Sequence, residues 1–438
     1  MSQVQRDWIA GQATSLQGDI VVPGDKSVSH RAVMLAALAD GSSRIEGFLE
    51  GEDTRATAAV FAQLGVRCEA PEAGVRIVHG VGIDGLRAPS AALDCGNAGT
   101  AMRLLAGLLC AQPFDSVLVG DASLSRRPMA RVIDPLSRMG AHIDAEAGLP
   151  PLRIRGGRRL VGIEARLPVA SAQVKSALLL AGLQASGDTC VSEPHPTRDY
   201  TESMLRAFGV DIDFAPGFAR LRGGQRLRPT DIQVPTDFSS AAFFVVAASL
   251  VPGSRLRIRR VGMNPRRTGL LQALRAMGAD IREEPSAASV ADAEPVSDLV
   301  VRHAPLHGID LPPALVPDMI DEFPALFVAA ACASGDTRVH GAAELRVKES
   351  DRIATMAKGL RALGIEVDEA PDGARIRGGT LSGGTVESHG DHRVAMAFAV
   401  AAQLAHGDVR IGDITNVATS FPGFDTLATQ VGFGLRDA

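Results

Sequence analysis

The chain repeats one hydrophobic pattern six times. In each copy an apolar helical segment ends at a glycine and continues into a short run of alternating apolar and polar residues. Glycine at this place is typical of the left-handed residue that ends a helix, so each copy predicts a helix followed by a strand. The copies are FAQLGVRC (61–68), LSRMGAHI (136–143), LRAFGVDI (205–212), LRAMGADI (274–281), LRALGIEV (360–367) and ATQVGFGL (428–435). Their glycines are separated by 75, 69, 69, 86 and 68 residues, and this spacing indicates a structural repeat.

A second pattern recurs in step with the first, because six polar loops each run directly into a strongly apolar helical segment. These segments lie at 23–39, 96–109, 170–183, 236–250, 320–331 and 389–402. Helices that are apolar on most faces have to be buried. Their N-termini carry unpaired N–H groups and the positive end of the helix dipole, which favour anions. For any one loop, the simpler interpretation of its polar residues is a helix N-cap.

The alternation of helices and short strands predicts an α/β (α+β) protein. Six units in 438 residues are more than a single hydrophobic core usually holds, so we expect two lobes of three units each. Prolines at 22–24 and 234–236 mark where the chain would cross between the lobes. We therefore expect residues 1–24 and 236–438 to form lobe one and residues 25–235 to form lobe two. A cleft between two lobes is a usual place for a small-molecule site.

Composition excludes several classes of protein. The net charge of −5 and the single Trp and single Tyr disfavour a nucleic-acid partner, which needs a basic field or aromatic stacking. Five cysteines without a Cys-x-x-Cys pair disfavour a disulfide framework or a zinc ribbon. The first residues lack the apolar core of a signal peptide, and the longest apolar stretches are too short to span a bilayer. We expect a cytoplasmic protein with no membrane partner.

Three motifs combine charge with a helix start. GDKSVSHR (24–31) places two cations and two hydroxyls together, without the spacing of a nucleotide P-loop. RVKESDR (346–352) is the densest charge cluster, and on a helix Lys348 and Arg352 would be i,i+4 neighbours able to clamp an anion. In HGDHR (389–393), two histidines and an aspartate could suggest a metal site, but the positive charge of Arg393 would repel a metal ion. The alternative for each motif is a solvated basic turn or an exposed helix start.

These motifs, with GNAGT (96–100) and SAQVKSA (171–177), resemble the 5-enolpyruvylshikimate-3-phosphate (EPSP) synthase family from about residue 18 to residue 424. The resemblance implies an inside-out barrel in two lobes, each built from three βαβαββ units. It implies transfer of the enolpyruvyl group of phosphoenolpyruvate to the 5-hydroxyl of shikimate 3-phosphate, with release of phosphate, through a tetrahedral intermediate. This step belongs to chorismate and aromatic amino acid biosynthesis. The scheme requires no metal and no organic cofactor, and the family suggests a monomer inhibited by glyphosate.

The resemblance also assigns site residues. Asp321 would accept the proton of the 5-hydroxyl, and Lys348 and Glu349 would lie near the reacting carbons. Lys26, Ser27 and Arg31 would hold the shikimate phosphate side, and Lys26 would also face phosphoenolpyruvate. Lobe one would carry the phosphoenolpyruvate-side residues and lobe two the shikimate 3-phosphate side. The substrate-binding residues would be Lys26, Ser27, Arg31, Asn97, Gly99, Arg127, Ser171, Ala172, Gln173, Arg198, Asp321, Lys348, Arg352 and Arg393.

The chain departs from the family pattern at two places. Ser420 stands where many members have a lysine near phosphoenolpyruvate, and Leu104 stands where many have proline. Both features resemble a glyphosate-insensitive subgroup of the family. That subgroup has an alanine at the position that Gly99 occupies in this chain. We expect the room left by Gly99 to make the enzyme glyphosate-sensitive.

Two alternatives remain open at this point. UDP-N-acetylglucosamine enolpyruvyl transferase shares the fold and phosphoenolpyruvate, although it usually has a cysteine in the loop where this chain has Asp121. A non-catalytic sensor of phosphorylated ligands would keep the binding loops. Such a sensor would be free to lose its acid and base, whereas Asp321, Lys348 and Glu349 are all present.

Overall fold

The computed structural model describes residues 6–286 and 294–438 as a mixture of helices and short strands. The α-helices are α1 Lys26–Leu38, α2 Glu52–Gln63, α3 Gly99–Leu109, α4 Ala130–Arg138, α5 Ala172–Gly182, α6 Tyr200–Ala207, α7 Phe238–Leu250, α8 Gly269–Ala276, α9 Phe323–Cys332, α10 Arg352–Ala362, α11 His392–Ala402 and α12 Phe424–Val431. In this part of the chain, no helix has both the length and the apolar character needed to cross a membrane.

The strands are short and alternate with the helices along the chain. They are β1 Trp8–Gly11, β2 Gln17–Ile20, β3 Ser42–Glu46, β4 Arg67–Glu69, β5 Val75–His79, β6 Leu93–Asp94, β7 Ser116–Val119, β8 His142–Glu146, β9 Leu149–Arg155, β10 Glu164–Arg166, β11 Asp188–Ser192, β12 Ile212–Ala215, β13 Phe218–Arg222, β14 Ile232–Gln233, β15 Arg255–Gly262, β16 Asp280–Pro285, β17 Val296–Arg302, β18 Asp336–Val339, β19 Glu366–Ala370, β20 Gly373–Arg377, β21 Ser382–Glu387, β22 His406–Gly412 and β23 Gly434–Asp437. The prediction of an α/β chain is therefore confirmed.

The chain divides into two compact units. The first comprises the described residues up to Pro23 together with Pro235–Ala438, and the second comprises Gly24–Val234. The second unit holds the sheets β14-β3-β5-β4, β6-β7-β9-β8 and β10-β11-β13-β12. The first unit holds β16-β17-β15-β2, β21-β22-β1-β23 and the three-stranded β18-β20-β19. Each unit has its own hydrophobic core.

The sheets share one pairing pattern. In each four-stranded sheet one parallel pair at an edge is followed by two antiparallel pairs. In the three-stranded sheet, a parallel bridge from Asp310 to Arg338 occupies the place of the missing edge strand. The sequence repeat therefore corresponds to a repeated pairing order.

The six glycines of the repeat have the predicted conformation. Each follows a helix, precedes a strand and has a φ between +84° and +112°, at Gly65, Gly140, Gly209, Gly278, Gly364 and Gly432. A side chain with a Cβ is strained in this left-handed region, so glycine ends each helix at little cost.

The apolar segments form the buried helices α1, α3 and α5 in one unit and α7, α9 and α11 in the other. All residues of α7 are buried, as its composition predicted. Four of these helices begin at a side-chain cap, provided by Asp25, Ser171, Asp237 and Asp391. The helices α3 and α9 begin at Ala98 and Glu322, which make no side-chain cap.

Close packing of α3 on α5 depends on a glycine. A Cβ added to Gly107 would lie 2.1 Å from the carbonyl oxygen of Ala177. We expect Gly107→Ala to lower the free energy of unfolding by about 1–3 kcal/mol, the usual cost of overpacking a core. The control is Gly379→Ala, where the new Cβ would approach no closer than 3.5 Å, to Ile365 Cδ1. Urea unfolding of both variants measures the difference, and equal midpoints would contradict this packing.

Candidate active site

In the second unit, the start of α1 carries two of the predicted cations. Asp25 caps the helix by accepting a hydrogen bond from Val28 N at 2.8 Å. Lys26 forms an ion pair with Asp53, whose side chain is buried in the first turn of α2. Asp53 was not predicted from the sequence, because its pairing with Lys26 joins two helices that are separate along the chain. The ion pair fixes the Lys26 ammonium beside the N-terminus of α1.

Arg31 is buried among neutral hydrogen-bond acceptors. Its guanidinium donates to Thr201 Oγ1 at 2.7 Å, to Ser176 Oγ at 2.9 Å and to the Ser27 carbonyl at 3.0 Å. Burial, followed by the nearby charge of Arg198, lowers the pKa of Arg31 to about 10. These three acceptors carry no formal charge, so a bound anion would further stabilise the buried guanidinium.

A second cluster of this unit surrounds the start of α3. Arg127 donates to Asn97 Oδ1 at 2.7 Å, and Gln173 donates to Thr100 Oγ1 at 2.8 Å. Arg103 donates to Gln173 Oε1 at 2.9 Å, which ties α5 to α3. The structure therefore brings Arg127 and Gln173 to the loop 96–100 at the start of α3, as neighbours of Asn97 and Thr100.

Gly99 leaves space between two guanidiniums of this cluster. A Cβ at Gly99 would lie 3.0 Å from Nη1 of both Arg103 and Arg127. Arg103 was not predicted from the sequence, although a single arginine one turn into an otherwise apolar helix is a signal that could have indicated it.

The N-terminus of α5 holds two further residues of the predicted shikimate 3-phosphate side, Ser171 and Ala172, whereas Arg198 lies in the loop before α6. Ser171 caps the helix, and its own N–H donates to Glu193 Oε1 at 3.0 Å. The carbonyl of Ala172 accepts from Ser176 Oγ at 2.6 Å. Ser176 thereby joins this turn to Arg31.

In the first unit, Asp321 faces three cations. Its carboxylate oxygens lie 3.6 Å from Lys348 Nζ, 3.8 Å from Arg352 Nη1 and 3.9 Å from Arg267 Nη1. The carbonyl of Asp321 accepts from Arg393 Nη1 at 3.2 Å. Four predicted residues of this unit are therefore neighbours, and Arg267 joins them without any local sequence signal that predicts it.

Arg352 is the most buried charge of this cluster, with 1% of its side chain exposed. It donates from Nε to Asp391 Oδ2 at 2.8 Å and from Nη2 to Glu349 Oε2 at 2.7 Å. These two carboxylates outweigh burial and raise the pKa of Arg352. Its Nη1 is buried and makes no hydrogen bond with the described residues. The unused donor is aimed at the region of Asp321, where an anion would satisfy it.

The predicted helical pairing of Lys348 with Arg352 is wrong. The helix α10 begins at Arg352 and is capped by Asp351, whereas Lys348 lies outside it, directly after the 3-10 turn Ala343–Val347. The helix begins there because the Asp351 side chain caps its N-terminus by accepting a hydrogen bond from Ala354 N. Lys348 and Arg352 still converge, but through their shared neighbour Asp321.

The two sequence departures are both buried. Ser420 is 8% exposed, and its N–H donates to the Val417 carbonyl at 3.2 Å. Leu104 is fully buried in α3, within the core of its unit. Leucine fits this apolar position, and neither residue adds a charge to the clusters described above.

Comparison with known proteins gives the family. The family model for EPSP synthase (3-phosphoshikimate 1-carboxyvinyltransferase) matches residues 11–427. A 3-phosphoshikimate 1-carboxyvinyltransferase of Xanthomonas campestris pv. campestris (strain B100) is 71% identical over 436 residues, covering 99% of each chain. The same enzyme of Xanthomonas axonopodis pv. citri (strain 306) is 70% identical over 439 residues, covering 100% of this chain and 99% of that protein.

A solved structure agrees with these relatives. The EPSP synthase of Acinetobacter baumannii superimposes with a TM-score of 0.88 at 50% identity, covering 99% of this chain and 100% of that one. The chain therefore belongs to the EPSP synthase family, and the resemblance seen in the sequence is confirmed. It is an enzyme that catalyses enolpyruvyl transfer in the shikimate pathway, the route to the aromatic amino acids.

The contact between Arg352 and Asp391 should dominate the stability of its cluster. Asp391→Asn keeps the size and part of the cap of α11, but it leaves Arg352 with one carboxylate partner at hydrogen-bond distance instead of two. Breaking a buried pair leaves an uncompensated charge, so we expect a loss of about 3 kcal/mol in the free energy of unfolding. Urea unfolding checks this.

The control for that variant is Asp40→Asn, which breaks an exposed pair with Arg226. Solvent screens this surface pair, so the control should match the unchanged enzyme. Similar losses in the two variants would show that burial does not set the strength of the Arg352 contact.

Proposed function

We propose that the described clusters carry out enolpyruvyl transfer from phosphoenolpyruvate to the 5-hydroxyl of shikimate 3-phosphate. The observation that supports this most strongly is the group around Asp321, in which a carboxylate lies within 4 Å of three cations. A base that must work beside an anionic substrate needs such surroundings, because the cations hold the anion while the carboxylate takes a proton.

The first unit is proposed to act mainly on phosphoenolpyruvate. Arg352 and Arg393, with Lys348, would pair with its carboxylate and phosphate. Arginine suits this task because its planar fork matches these groups. The unused Nη1 of Arg352 is a donor available to such an anion.

The second unit is proposed to act mainly on shikimate 3-phosphate. Ser27, Arg31, Ser171 and Arg198 would surround its phosphate, with Ala172 at the same helix start. The burial of Arg31 among neutral oxygens, with the charge of Arg198 nearby, supports an anion there.

The cluster at the start of α3 is proposed to face phosphoenolpyruvate, together with Lys26, which would also hold the shikimate phosphate side. Lys26, Asn97, Gly99 and Arg127 would contact phosphoenolpyruvate, and Gln173 would connect the two substrates. The two guanidiniums beside Gly99 supply the charge that such a contact needs.

The proposed chemistry is an addition followed by an elimination. An acid, Glu349 or Lys348, protonates the methylene carbon of phosphoenolpyruvate and leaves cationic character on the neighbouring carbon. The 5-hydroxyl oxygen attacks that carbon as Asp321 accepts its proton, which gives the tetrahedral intermediate. The conjugate base of that acid then takes a methyl proton, and the double bond re-forms as the carbon–oxygen bond to phosphate breaks. The cations stabilise the departing phosphate.

For the fold and its setting, we propose what the family resemblance implies. The chain would form six βαβαββ units, three in lobe two (25–235) and three in lobe one (1–24 with 236–438), arranged as an inside-out barrel. The shared pairing order of the sheets supports the repeat. The enzyme would work as a cytoplasmic monomer and would require no metal or organic cofactor.

Phosphate release from phosphoenolpyruvate tests the function. We expect release with shikimate 3-phosphate and none with UDP-N-acetylglucosamine. Asp321→Asn should lower kcat by about 10²–10⁴-fold, the usual contribution of a general base. The control is Asp310→Asn, an exposed aspartate of the same unit, which should leave kcat unchanged.

Three results would overturn the proposal. Release with the nucleotide sugar alone would mean that the acceptor is wrong. Ligand binding without release from either acceptor would instead favour the sensor. Full activity in Asp321→Asn would remove Asp321 as the base.

Glyphosate inhibition tests the space at Gly99. In Gly99→Ala the new Cβ would crowd the guanidiniums of Arg103 and Arg127, so the anion site narrows. We expect the wild-type enzyme to be inhibited by glyphosate and the variant to have an inhibition constant at least about tenfold higher, equivalent to 1.4 kcal/mol. Gly379→Ala serves as the control. An unchanged inhibition constant in Gly99→Ala would show that the space at Gly99 does not determine sensitivity to glyphosate.

A further inference from the structure

A buried ion triad lies behind the substrate-binding turn of α5. The Lys175 ammonium is 2.8 Å from Glu193 Oε2 and 2.8 Å from Glu202 Oε1. The three side chains are 2%, 0% and 1% exposed, in that order. Burial acts to lower the pKa of Lys175, but the two carboxylates outweigh it and the pKa is raised. Lys175 is therefore a charged group that water does not reach.

One carboxylate of the triad supports the start of α5. Glu193 Oε1 accepts from the Ser171 N–H at 3.0 Å, and Thr197 Oγ1 lies 2.8 Å from both carboxylate oxygens. Ser171 is the N-cap of α5, and Arg198 directly follows Thr197. Glu193 thus connects Lys175 to the cap and to the loop that carries Arg198.

The other carboxylate supports Arg31. Glu202 lies in the first turn of α6, next to Thr201, whose Oγ1 accepts from Arg31 Nε at 2.7 Å. Thr201 in turn donates to Ser176 Oγ at 2.6 Å, and Ser176 is the residue after Lys175. The charge of Glu202 is also among the influences that favour the cationic form of Arg31.

Stability alone does not account for this arrangement. Replacing a buried ion cluster by apolar residues of similar volume is often neutral or stabilising, because the desolvation of the charges is so costly. The position is surrounded by leucine, valine and alanine in α5, so an apolar residue would suit the helix. Unlike an apolar side chain, the ammonium fixes the positions of two carboxylates, Glu193 and Glu202, on two separate chain segments.

We propose that Lys175 is a positioning residue for the shikimate 3-phosphate side of the reaction, acting through Glu193 on Ser171 and through Glu202 on Thr201 and Arg31. This inference rests on the proposed function of that unit. Lys175 would not touch the substrate. Its loss would misplace Ser171 and Arg31, which are proposed to bind shikimate 3-phosphate, so the affinity for this substrate would fall.

The test compares Lys175→Met with Lys175→Arg. Methionine keeps the length of the side chain and removes its charge, whereas arginine keeps the charge. We expect Lys175→Met to raise KM and the calorimetric Kd for shikimate 3-phosphate by about 10–100-fold, the equivalent of about one charge-assisted hydrogen bond. KM for phosphoenolpyruvate should change less than threefold, and Lys175→Arg should recover at least a third of the lost affinity. Lys358→Met, in an exposed position of α10, is the matched control.

Thermal unfolding accompanies each measurement, and binding is compared at a temperature where the variants are folded. If Lys175→Met does not fold, Glu202→Gln replaces it, because it removes one partner while retaining the ammonium. The same selective loss of shikimate 3-phosphate affinity is then expected.

Two results would overturn the inference. One is an unchanged Kd for shikimate 3-phosphate in the folded variant. The other is an equal loss for both substrates that arginine does not recover, which would indicate a packing defect. Failure of the wild-type enzyme to bind shikimate 3-phosphate would contradict the proposed function instead, so the two failures are distinguishable.

Discussion

A guanidinium or ammonium that has lost contact with water must be compensated, and this requirement governs the helix starts of both units. Arg352 is compensated by Asp391 and Glu349, and Lys175 by Glu193 and Glu202. These carboxylates come from other helices or loops, so meeting the charge requirement also fixes how the elements meet. The polar ends of the apolar helices are held by these contacts.

At the places proposed to bind substrate, the arginines have neutral partners or an unused donor. The hydrogen bonds described for Arg31 end on neutral oxygens, and Arg352 keeps one buried donor unused. Asp321 lies 3.6–3.9 Å from Lys348, Arg352 and Arg267. Donors fixed in this way need little reorganisation when an anion binds. Such preorganisation is the main source of electrostatic catalysis.

The repeat could be predicted from sequence because its signals are local. Each helix, its terminal glycine and the following strand lie within a few residues of one another, and all six glycines have the expected conformation. The candidate residues were assigned through family motifs. The contacts that hold them were not predicted, because Arg267 with Asp321 and Lys175 with Glu202 join distant parts of the chain. The error at Lys348 was also physical: spacing suggested one helix, but the Asp351 cap starts the helix later.

Our central proposal is that the unused Nη1 donor of Arg352 and the buried guanidinium of Arg31, with its neutral hydrogen-bond partners, help to bind the two anionic substrates. A crystal structure of the enzyme with shikimate 3-phosphate and phosphoenolpyruvate bound in an inactive Asp321→Asn variant tests it most directly. The account predicts the shikimate phosphate within hydrogen-bond distance of Ser171 and Arg198, beside Arg31, and an oxygen of phosphoenolpyruvate on Arg352 Nη1. Substrates bound away from these groups, with Nη1 of Arg352 still unused, would contradict it.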